Sequence, residues 1–183
     1  MMTDSIMKQF LEDQRRRGLS LADNSDILTL TAIQDVEQSP PHRYIAKYAC
    51  KSALRNGDGQ IHIAESQFYV GISFGRDHLR RVDPLQLVTW LGPGDIFHPN
   101  VRGPLFCVGR VHSGITLVDI LYQVFEIVTF VNWSSHDLLD DAAAQWARNN
   151  QHLFPVDRRP LKRREKVSDS TATDGQKEDP ENE

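Results

Sequence analysis

Alternating apolar and polar positions predict β-strands in the first half of the chain. In Tyr44–Leu54 and again in Gln67–Phe74, apolar residues recur at every second position, the period of a half-buried strand. The sequence Asn-Gly-Asp-Gly at residues 56–59 predicts a tight turn that joins them as a hairpin. Apolar stretches at Ile27–Ile33 and Leu85–Leu91 predict one further strand on each side. Consecutive strands joined by turns predict a four-stranded antiparallel meander.

Helical spacing of apolar residues appears before and after these strands. Met7–Gly18 predicts a short helix that ends at Gly18. Thr116 begins a capping-box-like tetrapeptide, and the apolar spacing after it predicts a largely buried helix. Leu138–Trp146 predicts a last helix, and residues 95–114, with Gly and Pro among apolar residues, predict an irregular but packed segment. This order predicts an α+β domain with an N-terminal helix, the four-stranded meander and two C-terminal helices.

Composition and charge divide the chain into a domain and a tail. The 183 residues are 39% hydrophobic and carry a net charge of −4, which excludes a generally basic nucleic-acid coat. Residues 168–183 contain six acids, one base and no large apolar residue, so they are predicted to be disordered. We therefore predict a domain over residues 1–160 and a basic, then acidic, disordered tail over residues 161–183.

The compartment follows from the N-terminus and the cysteines. The first ten residues include an early acid and no apolar core, so we expect no secretory signal. No hydrophobic run is long enough to cross a membrane. Cys50 and Cys107 form no CxxC pair, and a reducing, cytoplasmic setting with free thiols is predicted.

Two basic runs, Arg15–Arg17 and Arg158–Lys166, lack an aromatic stacking motif, so a nucleic-acid partner is not expected. The second run fits either a solvated linker or a docking patch for an acidic partner.

Candidate chemistry centres on His98-Pro99-Asn100 and on Cys107, seven residues after Asn100. Each feature alone is ordinary, because a lone cysteine between apolar neighbours is usually a core residue and the tripeptide suits a turn. Cys50 is predicted to be structural, on the buried face of its strand. Trp90 and Trp146 are predicted to lie in the core, and Trp133 to pack rather than to act.

Taken together, the sequence HPNVRGPLFCVG after a four-strand meander resembles the ubiquitin-conjugating enzyme family. The resemblance is supported by the strand FYVGISFGRDH, by the strand after Pro84 and by the helix ITLVDILYQVFEIV, and it covers Tyr44–Phe154. It implies a ubiquitin-conjugating-enzyme-like fold. It also implies that Cys107 accepts a ubiquitin-like protein as a thioester from an activating enzyme and passes it to a lysine of a target protein. ATP is then used by the activating enzyme, and this chain needs no cofactor or metal.

The resemblance assigns further roles. Asn100 matches the asparagine associated with stabilising the oxyanion and ordering the active-site loop, while His98 and Pro99 fix the local backbone. The family places an acidic or polar residue in the loop between the two C-terminal helices, where it assists deprotonation of the lysine. Ser135, His136 or Asp137 falls near that position, and His136 has a suitable intrinsic pKa. Asp137 is alternatively predicted to be the N-cap of the last helix.

Departures from the eukaryotic pattern point to divergent bacterial relatives. The Asn-to-Cys spacing is one residue shorter, a single proline, Pro84, follows the third strand, and no Trp follows Cys107 closely. Such relatives occur beside activating-enzyme and JAB-peptidase relatives, and some of these systems act in antiviral defence against phage. In the family the first helix docks the activating enzyme, which suggests that role for Arg15–Arg17.

Two other hypotheses remain open. One is a catalytically inactive binding module of the same fold for a ubiquitin-like protein. The other is a zinc site formed by His98, Cys107, His112 and His136, whose spacing matches no familiar zinc pattern.

Overall fold

A computed structural model describes residues 2–34, 39–133 and 138–163, without the side chains of residues 2–4. The elements in chain order are α1 (Met2–Asp23), β1 (Leu28–Ile33), β2 (Arg43–Arg55), β3 (Ile61–Ser73), α2 (Pro84–Leu87), β4 (Val88–Gly92), β5 (Val101–Arg102), β6 (Leu105–Phe106), α3 (Leu117–Val128), α4 (Asp141–Asn149) and a 3₁₀ turn (Gln151–Leu153). The α+β class, the N-terminal helix and the two C-terminal helices are confirmed. Within the described residues no helix has both the length and the apolar character needed to cross a bilayer.

The sheet is antiparallel and has six strands in the order β1-β2-β3-β4-β6-β5. Its first four strands form the predicted meander, but the predicted count of four strands is wrong. The additional pair, β5 and β6, lies inside the segment that was expected to be irregular, and Thr89 pairs with Leu105 to join it to β4. Two-residue strands are too short to show a period of two in sequence.

The core lies between one face of the sheet and the helices α1 and α3. Alternate residues of β2 and β3 are buried there, as the period of two predicted, with Tyr48 and Phe68 fully enclosed. The Tyr48 hydroxyl donates to Leu121 O at 3.0 Å and the Ser52 hydroxyl donates to Val128 O at 2.7 Å. These two hydrogen bonds hold the middle and the C-terminal end of α3 against β2.

The first helix does not end at Gly18 but continues to Asp23. Gly18 is instead a point of close approach, because a Cβ atom there would lie 2.6 Å from Leu117 Cδ2 and 2.9 Å from Leu30 Cδ2. One turn earlier, the buried Gln14 side chain accepts a hydrogen bond from Leu117 N at 2.8 Å. It thereby satisfies one of the free N–H groups at the start of α3.

Two further boundaries differ from the prediction. The fourth strand begins at Val88 rather than Leu85, because Asp83 caps the short helix α2 through Leu85 N at 3.0 Å. The last helix begins at Asp141 rather than Leu138. Its N-cap is Asp140, which accepts from Ala143 N at 2.9 Å, so the predicted capping role of Asp137 is wrong.

Residues after α4 cover an edge of β2 that β1 leaves open. Asp157, which is 4% exposed, accepts from Lys51 N at 3.0 Å, and Arg159 donates to Ala49 O at 3.1 Å. Arg159 also pairs with Asp157 at 2.7 Å. Leu161 is buried as well, so packed structure reaches three residues beyond the predicted domain end at 160.

Candidate active site

The His-Pro-Asn segment follows a stretch of chain that lies along the edge of β2 left open by β1. Phe97 N donates to Ala53 O at 2.8 Å, and Ile96 forms an isolated bridge with Leu54. The four residues from Phe97 to Asn100 are buried. The packing predicted for residues 95–114 is therefore confirmed for this part of the segment, whereas residues 102–105 are exposed.

His98 completes the C-terminal cap of α3. Phe130 N donates to Ile127 O at 2.9 Å and Val131 N donates to Glu126 O at 2.8 Å, the hydrogen-bond pattern of a Schellman motif. His98 Nε2 lies 2.8 Å from the same Ile127 carbonyl. Ile127 O therefore accepts two hydrogen bonds, one from Phe130 N in the cap and one from the His98 side chain.

The hydrogen bonds of His98 determine its tautomer. Its Nδ1 accepts from Asn100 N at 3.1 Å, so the ring proton resides on Nε2, which donates to Ile127 O. Burial lowers the pKa of His98 to about 3, although the bond to Ile127 O acts in the opposite direction. The residue is neutral at physiological pH and acts as a backbone bridge.

Phe130 occupies the position of this cap that glycine usually takes. Its φ is +59°, a left-handed conformation that costs a bulky residue free energy. The ring is 2% exposed and lies with its centroid 4.2 Å from that of His98 and 4.5 Å from that of Phe154. This packing offsets the backbone strain, and the sequence contained no signal for it.

A tight hairpin follows Asn100 and presents Cys107. Val101 pairs with Phe106 across it, and Gly103 at the turn has a φ of +56°. Gly-Pro at the two turn positions fits a type II′ turn, in which the first residue has positive φ. Cys107 is the first residue after β6.

Asn100 binds the backbone of Cys107 on both sides. Cys107 N donates to Asn100 O at 2.8 Å, and Asn100 Nδ2 donates to Cys107 O at 3.2 Å. Asn100 is 1% exposed, and its Oδ1 is buried with no hydrogen-bond partner among the described residues. Both backbone groups of Cys107 are therefore occupied.

The two thiols differ in their surroundings. Cys107 is half-buried, whereas Cys50 is fully buried on β2, as predicted. Burial raises the pKa of the Cys50 thiol far above its ordinary value, with the nearby Asp157 adding to the effect. Cys50 is therefore an inert core residue at physiological pH.

The chain between α3 and α4 returns to the His-Pro-Asn segment. Leu139 N and Asp140 N both donate to Pro99 O, at 2.8 and 3.2 Å. His136 and Asp137 lie outside the described residues, as does Ser135. The described residues that follow these three thus contact Pro99. The resemblance gave Pro99 only the role of fixing the local backbone.

The remaining predicted residues do not join this cluster through a hydrogen bond. His112 is exposed, and its Nδ1 lies 3.1 Å from the carbonyl of the next residue. His98 has no nitrogen free to bind a metal, because Nδ1 accepts and Nε2 donates. In the described ranges no three His, Cys, Asp or Glu side chains form a metal-binding group. Trp133 packs against Phe154 with an edge contact, and Trp146 joins the same aromatic cluster.

Comparison with protein-family models and with curated proteins finds no match for this chain.

Proposed function

We propose that this protein is a ubiquitin-conjugating-type acyl transferase. It carries the carboxyl end of a ubiquitin-like protein as a thioester on Cys107 and transfers it to an amine of a target protein. One observation supports this above all: a partly accessible thiol whose backbone is held on both sides by the buried Asn100. A carrier cysteine needs a fixed backbone and a side chain that is free to react. The hydrogen bonds from Asn100 fix the backbone of Cys107 and do not involve its thiol.

The first step is thioester exchange. The Cys107 thiolate attacks the thioester carbonyl that an activating enzyme has formed with ATP, and the activating enzyme's thiolate leaves. One thioester replaces another, so no dedicated oxidant, cofactor or metal takes part. Ordinary thiols ionise with a pKa of about 8.5, and the thiolate is the nucleophile.

The second step forms an amide. A target lysine amine attacks the Cys107 thioester, an oxyanion develops on the carbonyl, and the intermediate collapses with loss of the Cys107 thiolate. Asn100 is the proposed donor to that oxyanion. Its Nδ2 has two hydrogens, and one of them is already donated to Cys107 O.

The attacking amine must also lose a proton. We assign this task to the loop between α3 and α4, with His136 or Asp137 as the acceptor and Ser135 as the third candidate. Support comes from Leu139 and Asp140, whose N–H groups bind Pro99 O and so bring the described end of that loop beside Asn100.

The N-terminus and the two unpaired thiols support a cytoplasmic setting for this reaction, and the resemblance supports a bacterial ubiquitin-like conjugation system of the kind found in antiviral defence. Its partners are then an activating enzyme, a ubiquitin-like protein and target lysines.

Adduct formation tests the first step. The protein is mixed with ATP, with an activating enzyme and with a ubiquitin-like protein, both taken from the same organism. We expect an adduct that a thiol reductant cleaves and that Cys107→Ser does not form, while Cys50→Ala forms it normally. A reductant-sensitive adduct on Cys107→Ser would refute the assignment. Tight binding of the ubiquitin-like protein without any adduct would favour the inactive binding module.

Transfer kinetics test the second step. Asn100→Ala is expected to form the adduct but to transfer it to lysine about 10²–10³ times more slowly, the usual cost of losing one oxyanion donor. The exposed Asn149 provides the control, and Asn149→Ala should transfer at the wild-type rate. Equal losses in loading and transfer would show that Asn100 only positions Cys107.

A further inference from the structure

A depression of about 500 Å³ lies between α1, α3 and the last described residues, on a face that the proposed chemistry does not use. Its charged and polar lining includes Arg16, Arg17, Thr116, Asp119, Tyr122 and Lys162. We call it the basic depression.

The charges of the basic depression are not balanced within the described residues. Arg16 and Arg17 share a single carboxylate, that of Asp13. The Asp119 carboxylate accepts a hydrogen bond from the Thr116 hydroxyl at 2.6 Å. The Lys162 ammonium makes no ion pair with a described residue and is exposed. The hydrogen bond leaves the charge of Asp119 in place, so three cations, Arg16, Arg17 and Lys162, outnumber the carboxylates of Asp13 and Asp119 by one here.

The chain leaves the described structure at this same place. Arg163 N donates to Asn24 O at 2.8 Å, and the Arg163 side chain donates to Asp23 O at 2.7 Å. Leu161, two residues earlier, is buried. These contacts anchor the chain on the end of α1, so the described residues end at the rim of the basic depression.

We propose that residues 168–183 dock in cis on the basic depression. These residues carry six acids and one base, which complements the net positive charge that Arg16, Arg17 and Lys162 leave over Asp13 and Asp119. Four residues lie between Arg163 and Ser168, and the five residue steps of an extended chain from one to the other span about 17 Å. Tethering this short raises the local concentration of the acidic segment to the millimolar range, so weak electrostatic contacts suffice.

The docked segment would cover Arg16 and Arg17 of α1 and compete with any other anionic partner for these two side chains. Access to this face would therefore depend on ionic strength and on the charge of the segment. Docking of this segment is independent of the chemistry at Cys107.

A spin label on the acidic segment tests the contact in the full-length chain. Ser170→Cys is introduced together with Cys107→Ser, and the buried Cys50 is left in place. The Cys107→Ser parent, treated with the same reagent, verifies that Cys50 takes up no label. Amide signals are then compared with the label paramagnetic and after its reduction.

We expect selective loss of amide intensity at Arg17, Ser20 and Tyr122 when the label is paramagnetic. Raising the salt from about 0.1 M to about 1 M shortens the Debye length from about 10 to about 3 Å, and this should restore the signals. Arg16→Glu with Arg17→Glu should restore them too. The matched pair Arg80→Glu with Arg81→Glu, two adjacent exposed arginines elsewhere, should not.

Three results would overturn the proposal. The first is full intensity at these amides in low salt. The second is the same intensity loss in both reversal variants, each verified as folded by its amide spectrum. The third comes from mixing two preparations, an isotope-labelled chain without a spin label and a spin-labelled chain. Loss of amide intensity in the isotope-labelled chain would show that the contact forms between molecules.

Discussion

Lowering the pH should destabilise the protein through His98 at pH values above those at which the carboxylates of the protein titrate. The folded pKa of this residue is about 3, against about 6.5 for an unperturbed histidine. Protonation in the folded state would place a hydrogen on Nδ1, which now accepts from Asn100 N. The unfolded chain has no such conflict, so it binds the proton first.

The magnitude follows from linkage. Because the folded protein binds fewer protons below pH 6.5, its stability falls as the pH falls, by up to about 1.4 kcal/mol per pH unit for one histidine. Between pH 7 and pH 5 this amounts to about 2 kcal/mol. Burial also lowers the pKa of His78, so wild-type protein is expected to lose more than His98 alone accounts for.

Urea unfolding of wild type and His98→Gln, at pH 7 and at pH 5, isolates the contribution of His98. A glutamine retains an N–H donor and has no proton to gain. At pH 7 the variant should be less stable by about 1–3 kcal/mol, because the buried Asn100 N loses its acceptor. Between the two pH values it should lose about 2 kcal/mol less than wild type.

The exposed His62 provides the control, and His62→Gln should retain the full pH dependence. If wild type and His98→Gln lost the same stability between pH 7 and pH 5, the assignment of His98 as a neutral bridge would be refuted.

Three further predictions concern the packing that supports the site, and urea midpoints measure each. Gly18→Ala should destabilise, because overpacking against Leu117 costs about 1–3 kcal/mol and the helix propensity of alanine returns only about 1 kcal/mol; a more stable variant would contradict this. Gln14→Met leaves Leu117 N buried without an acceptor and should cost about 1–3 kcal/mol, so unchanged stability would exclude that capping role. Asp157→Asn should cost about 1–2 kcal/mol at pH 7. Hydrogen bonds from Arg159 and Lys51 lower the pKa of Asp157 despite its burial. Wild type should therefore lose this advantage progressively as the pH falls below about 4, and a difference between wild type and variant that does not shrink as the pH is lowered would contradict the reasoning.

Sequence patterns that span only a few residues were sufficient to predict the local structure. The period of two in β2 and β3 predicted their buried faces, and Thr116 was expected to begin α3, which it does by accepting from Asp119 N at 3.2 Å. Gly18 was misread because a glycine in a helical pattern indicates either an end or a close approach, and only the distant Leu117 and Leu30 distinguish the two. The contact between Asn100 and Cys107 was expected from the resemblance alone, and its hydrogen bonds required coordinates.

Tertiary contacts also explain why the site residues lie where they do. His98 completes the cap of α3, and Asn100 is bound to His98 through its backbone and to Cys107 through both backbone and side chain. The position of Cys107 is thus connected to the end of a buried helix by residues that need not touch a substrate. A change that loosens this cap, such as Phe130→Gly, would remove the ring that packs on His98 while relieving the backbone strain. Since a misplacement of about 1 Å near reacting atoms can cost about 10²-fold in rate, such a variant should impair transfer from Cys107 more than it impairs folding.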